Sequence, residues 1–161
     1  MGILRRVPVI WATGLCFVAL TIAFAVWIRA YDLTILDRLA KSDDVRAVLA
    51  SMSERQRSAH WWMTLSLDFV YPLAYGGFFA GLALRAFGRV GPALAVPAFI
   101  CIVADIAENL IQLHLLQGGE AFLGTKAILT PIKFTSFYLA ATLALVGLVT
   151  LALRRFAHRA G

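Results

Sequence analysis

Four ionisable side chains lie well inside otherwise apolar stretches of this sequence, and their chemistry is the first thing to explain. Asp68, Asp105, Glu108 and Lys133 each interrupt a long hydrophobic run. A charge at the centre of a membrane-spanning helix costs about 2.5 to 3.5 kcal/mol, so such residues face a bundle interior and a partner. Residues of these types can bind a ligand, exchange protons or join helices by ion pairing.

Helical spacing places these charges on faces shared with other polar residues. In the third apolar run, Asp105, Glu108, Asn109 and Gln112 follow one another at the spacing of a single helix face. The second and fourth runs carry similar stripes, which are His60, Thr64, Asp68, Tyr71 and Tyr75, and Lys126, Thr130, Lys133 and Phe137. At about 1.5 Å per residue, the buried charges lie roughly 10 to 17 Å from the outer helix ends. We therefore predict one polar cluster in the outer half of a bundle.

The predicted cluster is a candidate ligand site. Its side chains are Asp68, Tyr71, Tyr75, Asp105, Glu108, Asn109 and Lys133. The three carboxylates exceed the single ammonium, and a buried carboxylate without a partner takes up a proton or recruits a cation. We predict that the site binds a small polar or amphiphilic ligand or a cation.

Three alternatives use the same residues. A structural or assembly protein would pair Lys133 with Asp68 or Glu108 only to fix helix packing. A membrane-embedded lipid-modifying enzyme would use Asp68 and Glu108 as acid and base, with Lys133 anchoring an anionic headgroup, although no GxSxG nucleophile motif is present. A transporter would use the acids as a protonatable site, and so small a chain would need to oligomerise.

The residue types indicate no cofactor and no resident metal. The sequence has no nucleotide-binding glycine motif, and its histidines, His60, His114 and His158, are too scattered for a three-histidine zinc site. An oxygen site of Asp, Glu and Asn for a hard divalent cation stays open as an alternative. His60, with the two tryptophans after it, is interpreted as part of an aromatic belt at the outer interface.

Long apolar helices must position these residues. Hydrophobic residues make up 61% of the 161 positions and charged residues 15%, which is too apolar for the surface of a soluble domain. Four runs are long enough to cross about 30 Å of hydrocarbon, namely residues 7–28, 61–84, 92–116 and 127–153. We predict an all-α integral membrane protein, a four-transmembrane-helix bundle that forms a single domain over residues 1–161.

Flanking charges predict the orientation of the bundle. Arginines cluster at the ends of the runs, as Arg5, Arg6, Arg85, Arg89, Arg154, Arg155 and Arg159. The positive-inside rule then places both termini in the cytoplasm, in what we expect to be a bacterial inner (plasma) membrane, with the first run as an uncleaved signal anchor. The net charge of +6 is explained by lipid headgroups rather than nucleic acid. The expected partners are membrane lipids, with a homo-oligomer or another membrane protein as further candidates.

Residues 29–60 connect the first two runs and carry apolar residues at helix-like intervals among charges. This pattern predicts one or two amphipathic helices that lie on the membrane surface or cap the bundle, with a solvated loop as the alternative. Thr34 and Ser42 are predicted N-caps, and Ser53 with Gln56 matches a capping box.

One short segment invites a family comparison. Glu54-Arg55-Gln56-Arg57 resembles the Glu-Arg-x-Arg segment that precedes the second span of the four-helix membrane glutathione and eicosanoid enzymes. The likeness covers residues 54–60, and Asp68 and Pro72 fall several positions late for that pattern. The resemblance implies glutathione binding that rests on Arg55 and Arg57 alone, and both arginines fit a solvated helix start equally well.

Overall fold

The computed structural model describes residues 2–160, with side chains from residue 2 to residue 157, so the side chains of His158 and Arg159 lie outside it. This part of the chain is helical and contains no strand. The helices are α1 Val7–Tyr31, α2 Ser42–Ser51, α3 Glu54–Met63, α4 Phe69–Ala86, α5 Gly91–Leu94, α6 Val96–Leu116 and α7 Leu123–Ala160. Three short 3-10 turns lie at Ile3–Arg5, Leu36–Arg38 and Gly88–Val90. A π-helical turn, Thr64–Asp68, joins α3 to α4 in one continuous rod.

Four helical stretches are long and apolar enough to cross a membrane. They are Val7–Tyr31, Glu54–Ala86, Gly88–Leu116 and Leu123–Ala157, and each contains one of the four predicted runs. The all-helical class and the four candidate spans are therefore as predicted.

The α3–α4 rod is the centre of the bundle, because it contacts α1, α6 and α7. Glycines permit these close approaches. A Cβ atom on Gly81 would lie 2.8 Å from the carbonyl oxygen of Leu4, and one on Gly76 would overlap the Ile102 side chain. The contact at Gly81 is with backbone, so it would push the turn Ile3–Arg5 away from α4. The rod thus holds its neighbours close enough for their polar faces to meet.

The two ends of the bundle differ. At one end, which we call the arginine end, Arg85 Nη1 donates to the Arg5 carbonyl at 3.1 Å and Arg154 Nη1 donates to the Ala86 carbonyl at 3.0 Å. The opposite end, which we call the capped end, is covered by residues 32–53. Here α1 ends at Asp32, whose φ of 50° turns the chain back over the bundle.

The connection at the capped end confirms the prediction of a cap over the bundle. In α2, Val45 is 1% exposed and packs against Ile111, Leu115 and Leu123. The capping box of Ser53 and Gln56 is also confirmed, since each residue's side chain bonds the other's backbone. The two predicted N-caps are wrong: α2 begins after Lys41 without a side-chain cap, and Thr34 lies outside the turn Leu36–Arg38.

Candidate functional site

Two elements bring three carboxylates to one ammonium group of α7 near the capped end. Lys133 of α7 places its Nζ atom 2.6 Å from Glu108 Oε2 and 3.5 Å from Asp105 Oδ1, both on α6. The third carboxylate is Asp37, from the turn Leu36–Arg38, whose Oδ2 lies 2.9 Å from the same Nζ. We call Asp37, Asp105, Glu108, Lys126 and Lys133 the cage.

Lys126 completes the cage from the first turn of α7. Its Nζ donates to Glu108 Oε1, and Thr130 Oγ1 donates to the same oxygen at 2.6 Å. Glu108 and Lys126 are both fully buried. Because a buried charge is tolerated only when it is paired and hydrogen-bonded, Glu108 is the electrostatic centre of the cage.

Hydrogen bonds extend the cage toward the middle of the rod. Tyr75 Oη donates to Asp105 Oδ2 at 2.7 Å and lies 3.1 Å from the sulfur of Cys101. Cys101 Sγ in turn donates to the Lys133 carbonyl at 3.4 Å. These bonds link the rod, α6 and α7, so the cage is braced by backbone as well as side-chain groups.

A second polar group adjoins the cage, and we call His60, Asp68, Asn109 and Gln112 the acceptor patch. Asp68 lies within electrostatic range of the cage, yet it is the one buried carboxylate in the described chain that has no ion pair. Three buried atoms of the patch lack hydrogen-bond partners, namely Asn109 Oδ1, Gln112 Oε1 and His60 Nε2, whereas the Asp68 carboxylate has a hydrogen bond with Thr64. The two amide oxygens are acceptors, so the patch lacks donors.

Pro72 and the π-helical turn explain how the patch is held. Proline has no N–H group, so the carbonyl four residues earlier, that of Asp68, loses its helical donor. Asn109 Nδ2 donates to that carbonyl at 2.8 Å, while Gln112 Nε2 donates to Thr64 Oγ1 at 2.9 Å. Both amides thus use their N–H groups on the rod and leave their oxygens free.

The structure brings most of the sequence-predicted residues together. Asp105, Glu108, Lys133 and Tyr75 meet in the cage and its brace, and Asp68 and Asn109 lie in the adjoining patch. Tyr71 lies apart, because its hydroxyl faces α1 and sits 3.2 Å from Thr21 Oγ1. Of the two predicted pairings for Lys133, the structure forms the one with Glu108 rather than Asp68.

Two cage residues were missing from the predicted site, and one residue was misplaced. Lys126 belonged to the polar stripe predicted for the fourth helix, but it lies just before the apolar run and was not among the predicted site residues. Asp37 lies in the connection between the first two runs, whose apolar periodicity predicts a cap but does not connect this carboxylate to the bundle interior. His60, which we expected in an interfacial belt, is fully buried beside Thr64.

The charges of the site do not balance among the described residues. Four carboxylates, those of Asp37, Asp68, Asp105 and Glu108, accompany the two ammonium groups of Lys126 and Lys133. With His60 neutral, full ionisation would leave an acidic surplus. The sequence predicted such a surplus from three carboxylates and one ammonium. Burial alone would raise the pKa of Asp37, but the Lys133 ammonium holds that pKa below its usual value, so Asp37 stays ionised.

The cage also has the composition of an oxygen-ligand metal site. One oxygen each of Asp37, Asp105 and Glu108 lies within 4.8 Å of the others, the set that a hard cation would require. The Lys133 ammonium contacts all three carboxylates. A metal ion at this point would have to displace Lys133, so the cage holds its own cation.

The surroundings of the site are apolar on the flank and polar at the capped end. A groove of about 390 Å³ follows the seam of α6 and α7, and it is lined by Phe99, Ile100, Val103, Ala104, Ala107, Leu129 and Ile132. No ionisable residue lines it. At the capped end, Arg57 donates to the carbonyls of Leu49 and Leu116, and Arg55 lies over the ring of Tyr31. Both arginines of the resemblance are therefore engaged in packing the cap.

Comparison with protein-family models, with characterised proteins and with solved structures finds no match to this chain. Function must therefore be inferred from the site alone. What the structure supports directly is a small helical protein with four candidate spans and a buried cluster of Asp, Glu and Lys residues.

Proposed function

We propose that this chain is an integral membrane protein that binds a small cation at the acceptor patch, beside the cage. The observation that carries the proposal is Asp68, a carboxylate only 6% exposed and without an ion pair. An unpaired buried carboxylate costs several kcal/mol unless a proton or another cation joins it. The amide oxygens of Asn109 and Gln112, which lack hydrogen-bond donors, offer that cation further ligands.

The chemistry of the patch favours a cation over an anion or a neutral acceptor. Asp68, Asn109 and Gln112 each offer oxygen atoms, whereas the ammonium groups nearby are already engaged by carboxylates. An anionic headgroup would meet the surplus of negative charge and would be repelled. A small ammonium compound supplies hydrogen-bond donors and positive charge to these oxygens, and a metal ion supplies positive charge.

The arginine end supports the predicted orientation, with both termini in the cytoplasm. Arg5, Arg85 and Arg154 lie together there, and the positive-inside rule places such an end in the cytoplasm. The capped end and the patch then face the outside of the cell membrane. A cation would reach the patch from that side.

Thermal unfolding of the purified protein in detergent tests the proposal. Ammonium, ethylammonium, sodium and magnesium chlorides are titrated against N-methylglucamine chloride of equal ionic strength. A cation that binds the folded state raises the unfolding temperature in a saturable way, with about 2.7 kcal/mol of stabilisation at a hundredfold excess over Kd. Asp68→Asn should remove this dependence.

Asp43→Asn is the matched control, because the Asp43 side chain is 94% exposed and pairs only with Arg46. It should keep the full cation response. The proposal is overturned if every salt behaves like N-methylglucamine chloride, or if Asp68→Asn responds as strongly as the parent protein.

A structural role is the second candidate, and the cage favours it. Glu108 is fully buried and both of its oxygens face lysines, which is the arrangement of an ion pair that fixes helix order. The same enclosure weighs against the enzyme alternative, because an acid or base that is engaged on both oxygens has no free position for a substrate proton. The cage thus favours a role in helix packing, whereas the acceptor patch favours cation binding.

A further inference from the structure

The segment between α1 and α2 closes the capped end directly over the cage. Its Asp37 side chain is 19% exposed, compared with 9% for Asp105, 5% for Lys133 and none for Glu108. Asp37 is therefore the most exposed of these four side chains, and it lies between water and the more deeply buried charges.

Adjacent residues of α3 fasten the two sides of this covering segment. Gln56 Nε2 donates to the Asp32 carbonyl at 2.9 Å, where α1 ends. Arg57 Nη2 donates to the Leu49 carbonyl at 2.7 Å, in the last turn of α2. Both ends are thus tied to the same turn of the central rod.

Residues 33–39, between the first tie and α2, are held more lightly. Leu33 N donates to the Ile28 carbonyl at 3.0 Å, and the other backbone bonds are those of one short turn, from Arg38 N to the Ile35 carbonyl at 3.3 Å and from Leu39 N to the Leu36 carbonyl at 3.0 Å. A single 3-10 turn is a weak element that opens at low cost. Otherwise the segment depends on two buried leucines, Leu33 and Leu36, and on the contact of Asp37 with Lys133.

We propose that residues 33–39 form a lid over the site, latched by the ion pair of Asp37 and Lys133, and that its opening admits the cation to the acceptor patch. The identity of what enters rests on the proposed function, whereas the lid rests on the contacts above. When Asp37 swings into water, Lys133 keeps Asp105 and Glu108 as partners. Opening therefore breaks one ion pair and exposes the two leucines, and it leaves the rest of the cage paired.

Thiol labelling measures this opening without any cation ligand. Thr64 is fully buried beside His60, whose ring bonds the Thr34 backbone of the lid, so Thr64→Cys, with Cys16→Ser and Cys101→Ser, places the chain's single thiol beneath the lid. A membrane-impermeant trimethylammonium methanethiosulfonate then reports access to that thiol. Asp37→Asn should speed labelling at least about tenfold, since it removes a charge-assisted hydrogen bond.

Two further variants separate opening from unfolding. Leu36→Ala removes an apolar anchor of the lid while keeping every charge, and it should also speed labelling. Asp43→Asn, on the exposed face of α2, should change the rate less than about twofold because surface ion pairs contribute little. Each rate is measured well below that variant's own unfolding temperature.

Equal labelling rates for the parent, Asp37→Asn and Leu36→Ala would overturn the lid. That failure is distinct from failure of the proposed function. A cation response without any change in labelling leaves binding intact and removes the lid. Faster labelling in both variants without a cation response supports the lid and refutes the cation.

Discussion

The cage and the acceptor patch lie side by side, yet they treat buried charge in opposite ways. In the cage, Lys133 contacts three carboxylates and Lys126 secures Glu108 from the other side. In the patch, Asp68 has no ion pair and two amide oxygens have no donor. A network that serves packing gains nothing from unsatisfied acceptors. Stabilisation of the fold therefore explains the cage but does not explain the acceptor patch.

The sharpest way to break this comparison is to remove the cation of the cage. Lys133→Met would leave Asp37 and Asp105 without their ammonium partner. Breaking a buried ion pair from one side costs about 3 to 5 kcal/mol, so we expect a loss of that size in the free energy of unfolding in detergent. Lys41→Met, at an exposed position on the same side of the bundle, should be nearly neutral.

A double variant tests whether that loss is electrostatic. Adding Asp105→Asn to Lys133→Met removes one of the stranded charges, so the two changes should be less than additive, by about 0.5 to 3 kcal/mol. Strict additivity, or a loss below about 1 kcal/mol for Lys133→Met alone, would contradict the account of the cage.

The latch of the cage should show a pH profile. The folded-state pKa of Asp37 is lowered, so its contribution to stability is present above the unfolded-state pKa of about 3.9 and is lost as pH falls through the folded-state value. Asp37→Asn should therefore cost about 1.5 kcal/mol, evenly from pH 5 to 8. The difference from the parent should shrink below about pH 4. If the difference in the free energy of unfolding instead grew as the pH falls, the pKa of Asp37 in the folded state would be raised rather than lowered.

Two tyrosines provide a matched pair with a smaller expected effect. Tyr75→Phe removes a hydroxyl that donates to Asp105, and it should cost about 1.5 kcal/mol because the acceptor is charged. Tyr71→Phe removes a bond to Thr21 outside the site, for which about 0.6 kcal/mol is expected. Equal losses in chemical unfolding would show that Asp105 is no more than an ordinary acceptor.

The smallest change in stability, and the most informative about the patch, is expected for Asp68→Asn. Without an added cation, removing an unpaired buried charge should leave the free energy of unfolding unchanged or raise it by about 1 kcal/mol. A loss of more than about 2 kcal/mol would mean that Asp68 is paired in the native protein, and the patch would then resemble the cage.

The helices and the polar faces followed from periodicity, whereas the partners of the charges did not. Asp105 and Glu108 lie on one face of α6 because residues three apart share a face, and this pattern is visible in the sequence. Asp37 lies in a loop whose path depends on two buried leucines and a left-handed Asp32. No local pattern specifies such a path.

The separation of Asp68 from Lys133 has a similar cause. One stripe from His60 to Tyr75 is expected for a regular α-helix. The structure instead has a π-helical turn that ends at Asp68. A wider turn rotates the residues that follow it relative to those before, so one stripe no longer predicts one set of contacts. A proline at position 72 predicts that the Asp68 carbonyl lacks its helical donor. That Asn109 of α6 donates to this carbonyl is evident only from the fold.

The cage also imposes an order on biosynthesis. Asp105 and Glu108 leave the ribosome before Lys126 and Lys133, while Asp37 precedes its partner Lys133 by 96 residues. In the membrane protein that we propose, the acids of α6 enter the bilayer before their lysine partners, and pairing with α7 lowers the cost of burying them. Synthesis of α7 then allows α6 and the turn Leu36–Arg38 to settle.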